Sequence, residues 1–123
     1  MNSARSEFIA HANGICRSAQ KKAKPLVNGE KRLDPKTFDA AVALLHKTAN
    51  ELAAVKPPAD SRAGYQRFLA LANEEIAVVA KLAQYLHEHN LAGIHSLEGQ
   101  LHGHAVNELA RQLGLTGCAE EVT

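Results

Sequence analysis

Along this chain apolar residues recur at spacings of three and four, the pattern of one buried helix face, in four runs separated by polar joints. Phe8, Ala12, Ile15 and Ala19 make the first stripe, with Ser3 as N-cap and Pro25 as stop, so a helix is expected over 3–24. Pro25 to Asp34 carries Asn-Gly and charges without periodicity and reads as the longest loop. Asp34-Pro35 then marks a helix start, a capping residue followed by an imino acid whose missing N–H is harmless in the first turn. Phe38, Val42, Leu45, Ala49, Leu52 and Ala53 or Val55 carry the second stripe over 35–56, until Pro57-Pro58 stops it. After Asp60 or Ser61 as cap, Tyr65, Phe68, Leu69, Ala72, Ile76, Val79, Ala83 and Leu86 form the third, over 60–90. Leu91 to Gly93 is a short connection. Ile94, Leu97, Leu101, Ala105, Leu109 and Gln112 or Leu113 form the fourth, over 94–114, with Gly114 as its stop.

Four such helices, each roughly 30 Å long and joined by short polar segments, predict an all-α fold, an up-down-up-down antiparallel four-helix bundle. Neither half could bury its stripes alone, so a single domain over 1–123 is expected. Composition agrees. The 46% hydrophobic share is largely Ala and Leu, aromatics make up 4% and Trp is absent, a mixture that favours helix over strand. A chain of 123 residues buries roughly two-thirds of its unfolded surface, enough for one ordinary core.

Charge excludes one class of partner. Lys and Arg number 14 against 13 Asp and Glu, a formal charge of +1, and apart from Lys21, Lys22, Lys24 and the Lys31-Arg32 pair the basic residues are dispersed. A nucleic-acid reader shows a basic face with recognisable reading groups, so no nucleic-acid partner is expected. No run approaches the ~20 apolar residues of a membrane span, and no signal-peptide centre stands near Met1. The sequence is therefore expected to behave as a soluble chain without a transmembrane segment, and an upstream signal already removed is compatible with it.

Cys16 lies on or beside the buried face of the first helix and Cys118 just past the fourth. In an up-down bundle the last helix returns to the end where the first begins, so a bond between them is topologically allowed. It requires Cα atoms within about 7 Å, and either the Leu115-Thr116-Gly117 tail folds back or the first helix overhangs. Geometry leaves this alternative and two free thiols equally open.

The segments FIAHANGIC over 8–16, PPA over 57–59, YQRFLALA over 65–72 and NELARQLGLTGC over 107–118 together resemble a group of small exported actinobacterial helical proteins, lipoprotein-like and without assigned chemistry. The resemblance implies an extracytoplasmic helical domain, secreted or lipid-anchored, whose cysteines, matching Cys16 and Cys118, are paired. Pairing of that kind is usual in small exported domains. The sequence departs from the group in lacking a lipobox cysteine and in its histidine content.

Those histidines are His11, His46, His87, His89, His95, His102 and His104. On the expected fourth helix His95, Glu98 and His102 share one edge of the apolar stripe, on neighbouring turns. Imidazole and carboxylate so placed suit zinc, nickel or copper if another helix adds a ligand, which makes this trio a candidate site for a transition metal, or the imidazoles one for haem. The simpler expectation is that the imidazoles lie on solvated or boundary faces and pair with Glu7, Glu98 or Glu108. IHSLEG, over 94–99, is similar to the phospho-accepting segment of histidine phosphotransfer domains, which implies His95 as acceptor and Gly99 as the small residue giving access. There Glu98 replaces the lysine that would offset the phosphoryl charge, and a carboxylate repels that group.

Serines at 3, 6, 18, 61 and 96 have no glycine elbow, and no Gly-rich loop opens a helix, so neither a hydrolase nor a nucleotide site is expected. Glu75, at the edge of its stripe, is a candidate partly buried acid. Gly99 and Gly103 leave a flat strip that would let another helix, including one from a second copy, approach closely. The reading that results is a non-catalytic extracytoplasmic binding or structural module without a cofactor, with ligand unspecified. The alternatives are a histidine-dependent metal or haem binder and a phosphotransfer module.

Overall fold

The computed structural model describes residues 3–27, 34–97, 100 and 103–119. The chain is all-α, with five α-helices and no strand among the described residues. α1 (Ser3–Val27) is 25 residues long and runs through Pro25 rather than stopping before it. A proline in the final turn removes one hydrogen bond at an end that would fray anyway, so it shortens the helix only slightly. α2 (Pro35–Ala53) starts where the sequence indicates: Asp34 has the extended backbone of an N-cap, and its carbonyl accepts from the Phe38 N–H at 2.9 Å. The Asp34 carboxylate, however, meets the Thr37 hydroxyl at 3.4 Å and caps no backbone N–H.

A 3-10 turn (Ala59–Ser61) leads into α3 (Arg62–His87), at 26 residues the longest element among the described residues. α4 (Leu91–Leu97) and α5 (Gly103–Gln112) follow, and a second 3-10 turn (Thr116–Cys118) closes the described chain. Among the described residues the helix expected over 94–114 is two helices, so five stand where four were expected, and Leu91 to Gly93, expected as a connection, is the first turn of α4; residues 98, 99, 101 and 102 lie outside the described residues. The phase of the buried positions gives the physical reason. Leu97 of α4 is buried with Ile94 beside it, whereas α5 buries Ala110 and half-buries Val106, Leu109 and Leu113 while leaving Ala105 exposed. At roughly 100° per residue those two faces differ by roughly 140°, so one straight helix could not bury both.

α2 packs between α1 and α3, and α3 in turn carries α4 and α5. α2 and α3 run antiparallel, joined at one end by the Tyr65 hydroxyl, which donates to the Leu52 carbonyl at 2.5 Å, and at the other by His87 and Asp39 at 2.7 Å. The main core lies at the first of these ends. Phe8, Ala12 and Cys16 of α1, Leu52 and Val55, Tyr65 and Phe68 of α3, Ala110 of α5, and Leu115 and Ala119 are buried together there. Tyr65 stands at its centre, 1% exposed, with the Phe8 ring edge-on at 4.9 Å and Phe68 stacked at 6.0 Å. Burial pushes its phenol up to about 12, because the phenolate would be stripped of water there.

The C-terminal segment is fastened to α1. The Gly117 N–H donates to the Asn13 side-chain oxygen at 2.8 Å and the Gln20 amide donates to the Gly117 carbonyl at 2.7 Å. Gly117 packs so closely on Asn13 that a Cβ would lie 3.1 Å from the Asn13 carbonyl oxygen. The neighbouring Cys118 sulfur then lies 2.02 Å from that of Cys16, with Cα atoms 5.0 Å apart, a bond across 102 positions of sequence. Of the two routes that topology allowed, the tail takes the first and folds back.

Candidate functional site

Helical spacing sets Leu45, Thr48, Ala49 and Leu52 on one face of α2, and Phe68, Ala72, Glu75 and Ile76 on one face of α3. These two faces, with Val106 and Asn107 of α5 and the Cys16–Cys118 bond, enclose a cleft of about 230 Å³. Its floor is Leu52, Phe68 and Cys16, all buried, while Leu45 at the mouth is 38% exposed. Both helices place alanine in this lining, Ala49 and Ala72, and a side chain of one carbon leaves room beside it. The disulfide forms the wall on the α1 side, so the same bond that fastens the tail also shapes the cleft.

Polar groups are few in this lining. The Thr48 hydroxyl donates its one proton to the Leu44 carbonyl of its own helix at 2.7 Å, which leaves its oxygen as an acceptor only. Glu75 and Asn107, both half-buried, supply a carboxylate and an amide on opposite helices. The volume exceeds the ~150 Å³ of an apolar cavity that takes benzene and falls below the ~300 Å³ at which pockets for drug-sized molecules begin. A single ring or a short alkyl chain fits that interval.

Two other hollows flank the Lys56-Pro57 segment. One, of about 350 Å³, is lined by Glu7, Phe8 and His11 on α1 and by Val55 to Pro58; the other, of about 370 Å³, by Arg62, Tyr65, Gln66 and Leu69 of α3. Their ionisable residues Glu7, His11, Lys56 and Arg62 are exposed, so any ligand there would compete with bulk water.

The histidines do not converge among the described residues. His95 is exposed on α4, and its expected partners Glu98 and His102 lie outside the described residues, as does Gly99 of the phosphotransfer comparison. No group of three His, Cys, Asp or Glu placed to hold a metal ion occurs among the described residues. His11, His46, His87 and His89 are exposed. His87 meets Asp39 across two helices rather than a glutamate at helical spacing, a partner that requires the fold to be seen. Glu75 is half-buried, as its place at the stripe edge suggested. Ala49, Ala72, Val106 and Asn107 were not singled out for a site. The pair of alanines was the available signal, but only the packing of α2 on α3 brings them into one lining.

Compared with family models, with curated proteins and with solved structures, the chain matches none.

Proposed function

We propose that this protein is an extracytoplasmic, non-catalytic helical module that takes a small apolar ligand, or the apolar end of a larger one, into the cleft beside the Cys16–Cys118 bond. The cleft is the observation that carries this reading: four helices and a disulfide hold open an apolar hollow lined by Ala49 and Ala72, where larger side chains would close it. A preformed hollow of that kind binds without having to reorganise the core. In this reading α4 and α5 act together as the fourth arm of an up-down-up-down bundle, and the disulfide ties the first arm to the last. The placement outside the cytoplasm is supported by that bond, since disulfides persist in oxidising compartments, and by the resemblance to small exported actinobacterial helical proteins. No helix among the described residues is long and apolar enough to cross a membrane.

Toluene is a suitable probe. Burying roughly 160 Å² of its surface at about 25 cal/mol per Å² supplies about 4 kcal/mol before the cost of immobilising the ligand, so a Kd on the order of 1 mM is the tightest to be expected. Titration into the native protein should shift the methyl resonances of Leu45, Ala49, Ala72 and Val106 together, and Ala72→Leu should abolish the shifts while leaving the helical spectrum intact. Toluene shifts scattered over the surface, or shifts that survive Ala72→Leu, would overturn the reading.

A further inference from the structure

The cleft is more specific than its apolar lining alone suggests, because one wall carries a single ionisable group. Among the described residues that line it, Glu75 is that group; Cys16 and Cys118 are bonded to each other, and the remaining polar side chains are Thr48 and Asn107. Building on the binding role proposed above, we infer that the cleft selects small apolar cations: amines whose ring or short chain enters between Ala49 and Ala72 while the ammonium stays at the carboxylate of Glu75.

Three observations support this choice of ligand. The first is position. Glu75 lies one turn after Ala72 on α3 and both line the cleft, so the carboxylate and the space beside the alanines belong to the same wall. The second is local charge. Glu74 and Glu108, next in sequence to the lining residues Glu75 and Asn107, are exposed, and Glu108 holds Arg111 at 3.5 Å. The residues next in sequence to the lining balance in charge, Arg17, Lys47 and Arg67 against Glu51, Glu74 and Glu108, all exposed and none part of the lining, which leaves Glu75 as the charge that a ligand in the cleft meets. Among the described lining residues an anion meets the Glu75 carboxylate and no Lys or Arg, whereas an ammonium meets a complementary group. The third is dielectric. A half-buried carboxylate above an apolar floor is screened less than one on an open surface, so the sign of the ligand matters more there.

The inference does not require the carboxylate to be unpartnered. Glu75 also engages the rest of the chain, and a carboxylate's two oxygens offer about four acceptor positions, so an arriving ammonium adds a partner. Asn107 of α5, also in the lining, carries a side-chain oxygen able to accept from an ammonium.

The test compares three ligands of matched size on the native, disulfide-intact protein: 2-phenylethylammonium, 3-phenylpropionate and neutral propylbenzene, each titrated by calorimetry and methyl resonances. The ammonium should bind at least tenfold more tightly than propylbenzene and the carboxylate at least tenfold more weakly. Raising salt from 0.15 to 1 M should compress that spread without changing propylbenzene affinity. Glu75→Gln should bring all three within about threefold of one another, again with propylbenzene unchanged, which also reports that the variant cleft is intact. Equal binding of the three ligands, tighter binding of the carboxylate, or a spread that survives both salt and Glu75→Gln would overturn the inference while leaving the binding module standing. Failure of propylbenzene and toluene alike would instead remove the module itself.

Discussion

Tyr65 shows what one residue contributes when it occupies the centre of a small core. Its ring joins Phe8 and Phe68, and its hydroxyl reaches the Leu52 carbonyl, which also accepts from the Val55 N–H at 3.1 Å. Tyr65→Phe therefore leaves the carbonyl partnered and should cost only about 1 kcal/mol. The same residue sets an alkaline limit. The unfolded phenol loses its proton near 10.0 and the folded one near 12, so between those values the folded state holds a proton that the unfolded state has lost. Stability from Tyr65 is thus complete below pH 10 and falls as pH rises towards 12. Denaturant titrations of the native protein and Tyr65→Phe at pH 8 and pH 11 should show the native protein losing more stability than the variant. The place of Tyr65 on a core stripe was legible from spacing alone. Its partner Leu52 was not, because that contact crosses 13 positions of sequence and a change of helix.

At the scale of elements, helix ends decide how the second half of the chain is laid out. α3 finishes with the Asn90 N–H bonded to the Tyr85 carbonyl and His89 at φ 53, the left-handed position usually given to glycine; α5 finishes in the same way with Gly114 at φ 83 and Leu115 bonded to Ala110. Asn90 serves both sides of its junction, since its side-chain oxygen accepts from the Gly93 N–H at 2.9 Å and opens α4. A non-glycine residue in that conformation costs roughly 1 to 2 kcal/mol. His89→Gly should accordingly raise stability by about 1 kcal/mol, a gain of about 4 °C in Tm for a domain of this size. An unchanged or lower Tm would mean that the imidazole makes up for the strain. Gly114 was readable as a stop because only glycine takes such a turn without strain. His89 was not, since nothing about a histidine announces a left-handed backbone. The stripe continuing through Leu101 and Ala105 hid the break between α4 and α5 for a related reason: alanine fits a buried face or an exposed one, so a periodic count accepts either phase.

For the whole molecule, the decisive contact joins residues 102 positions apart. Closing such a loop is worth at most about 4 to 5 kcal/mol in the chain-entropy model, so Cys16→Ser with Cys118→Ser should lower Tm by about 15 °C. Without the bond the tail is still held by Asn13, Gln20 and the fully buried Leu115. The reduced protein should therefore remain folded, with the Gly117 amide protected from hydrogen exchange; two freely alkylated thiols in the non-reduced native protein would contradict the bond. By itself the sequence determined the helical class, the start of α2 at Pro35 and core positions such as Phe8, Ala12, Tyr65 and Phe68, because spacing, proline and capping residues act within a few positions of themselves. It also offered Cys16 and Cys118 as possible partners, with the resemblance rather than geometry favouring their union. Only the tertiary structure decided that the tail folds back onto Asn13, that His87 meets Asp39 and that Ala49 and Ala72 line one cleft with the disulfide. Those relations depend on the angle and depth at which helices pack, which are set by the sum of many weak side-chain contacts between distant segments and leave no local mark in the chain.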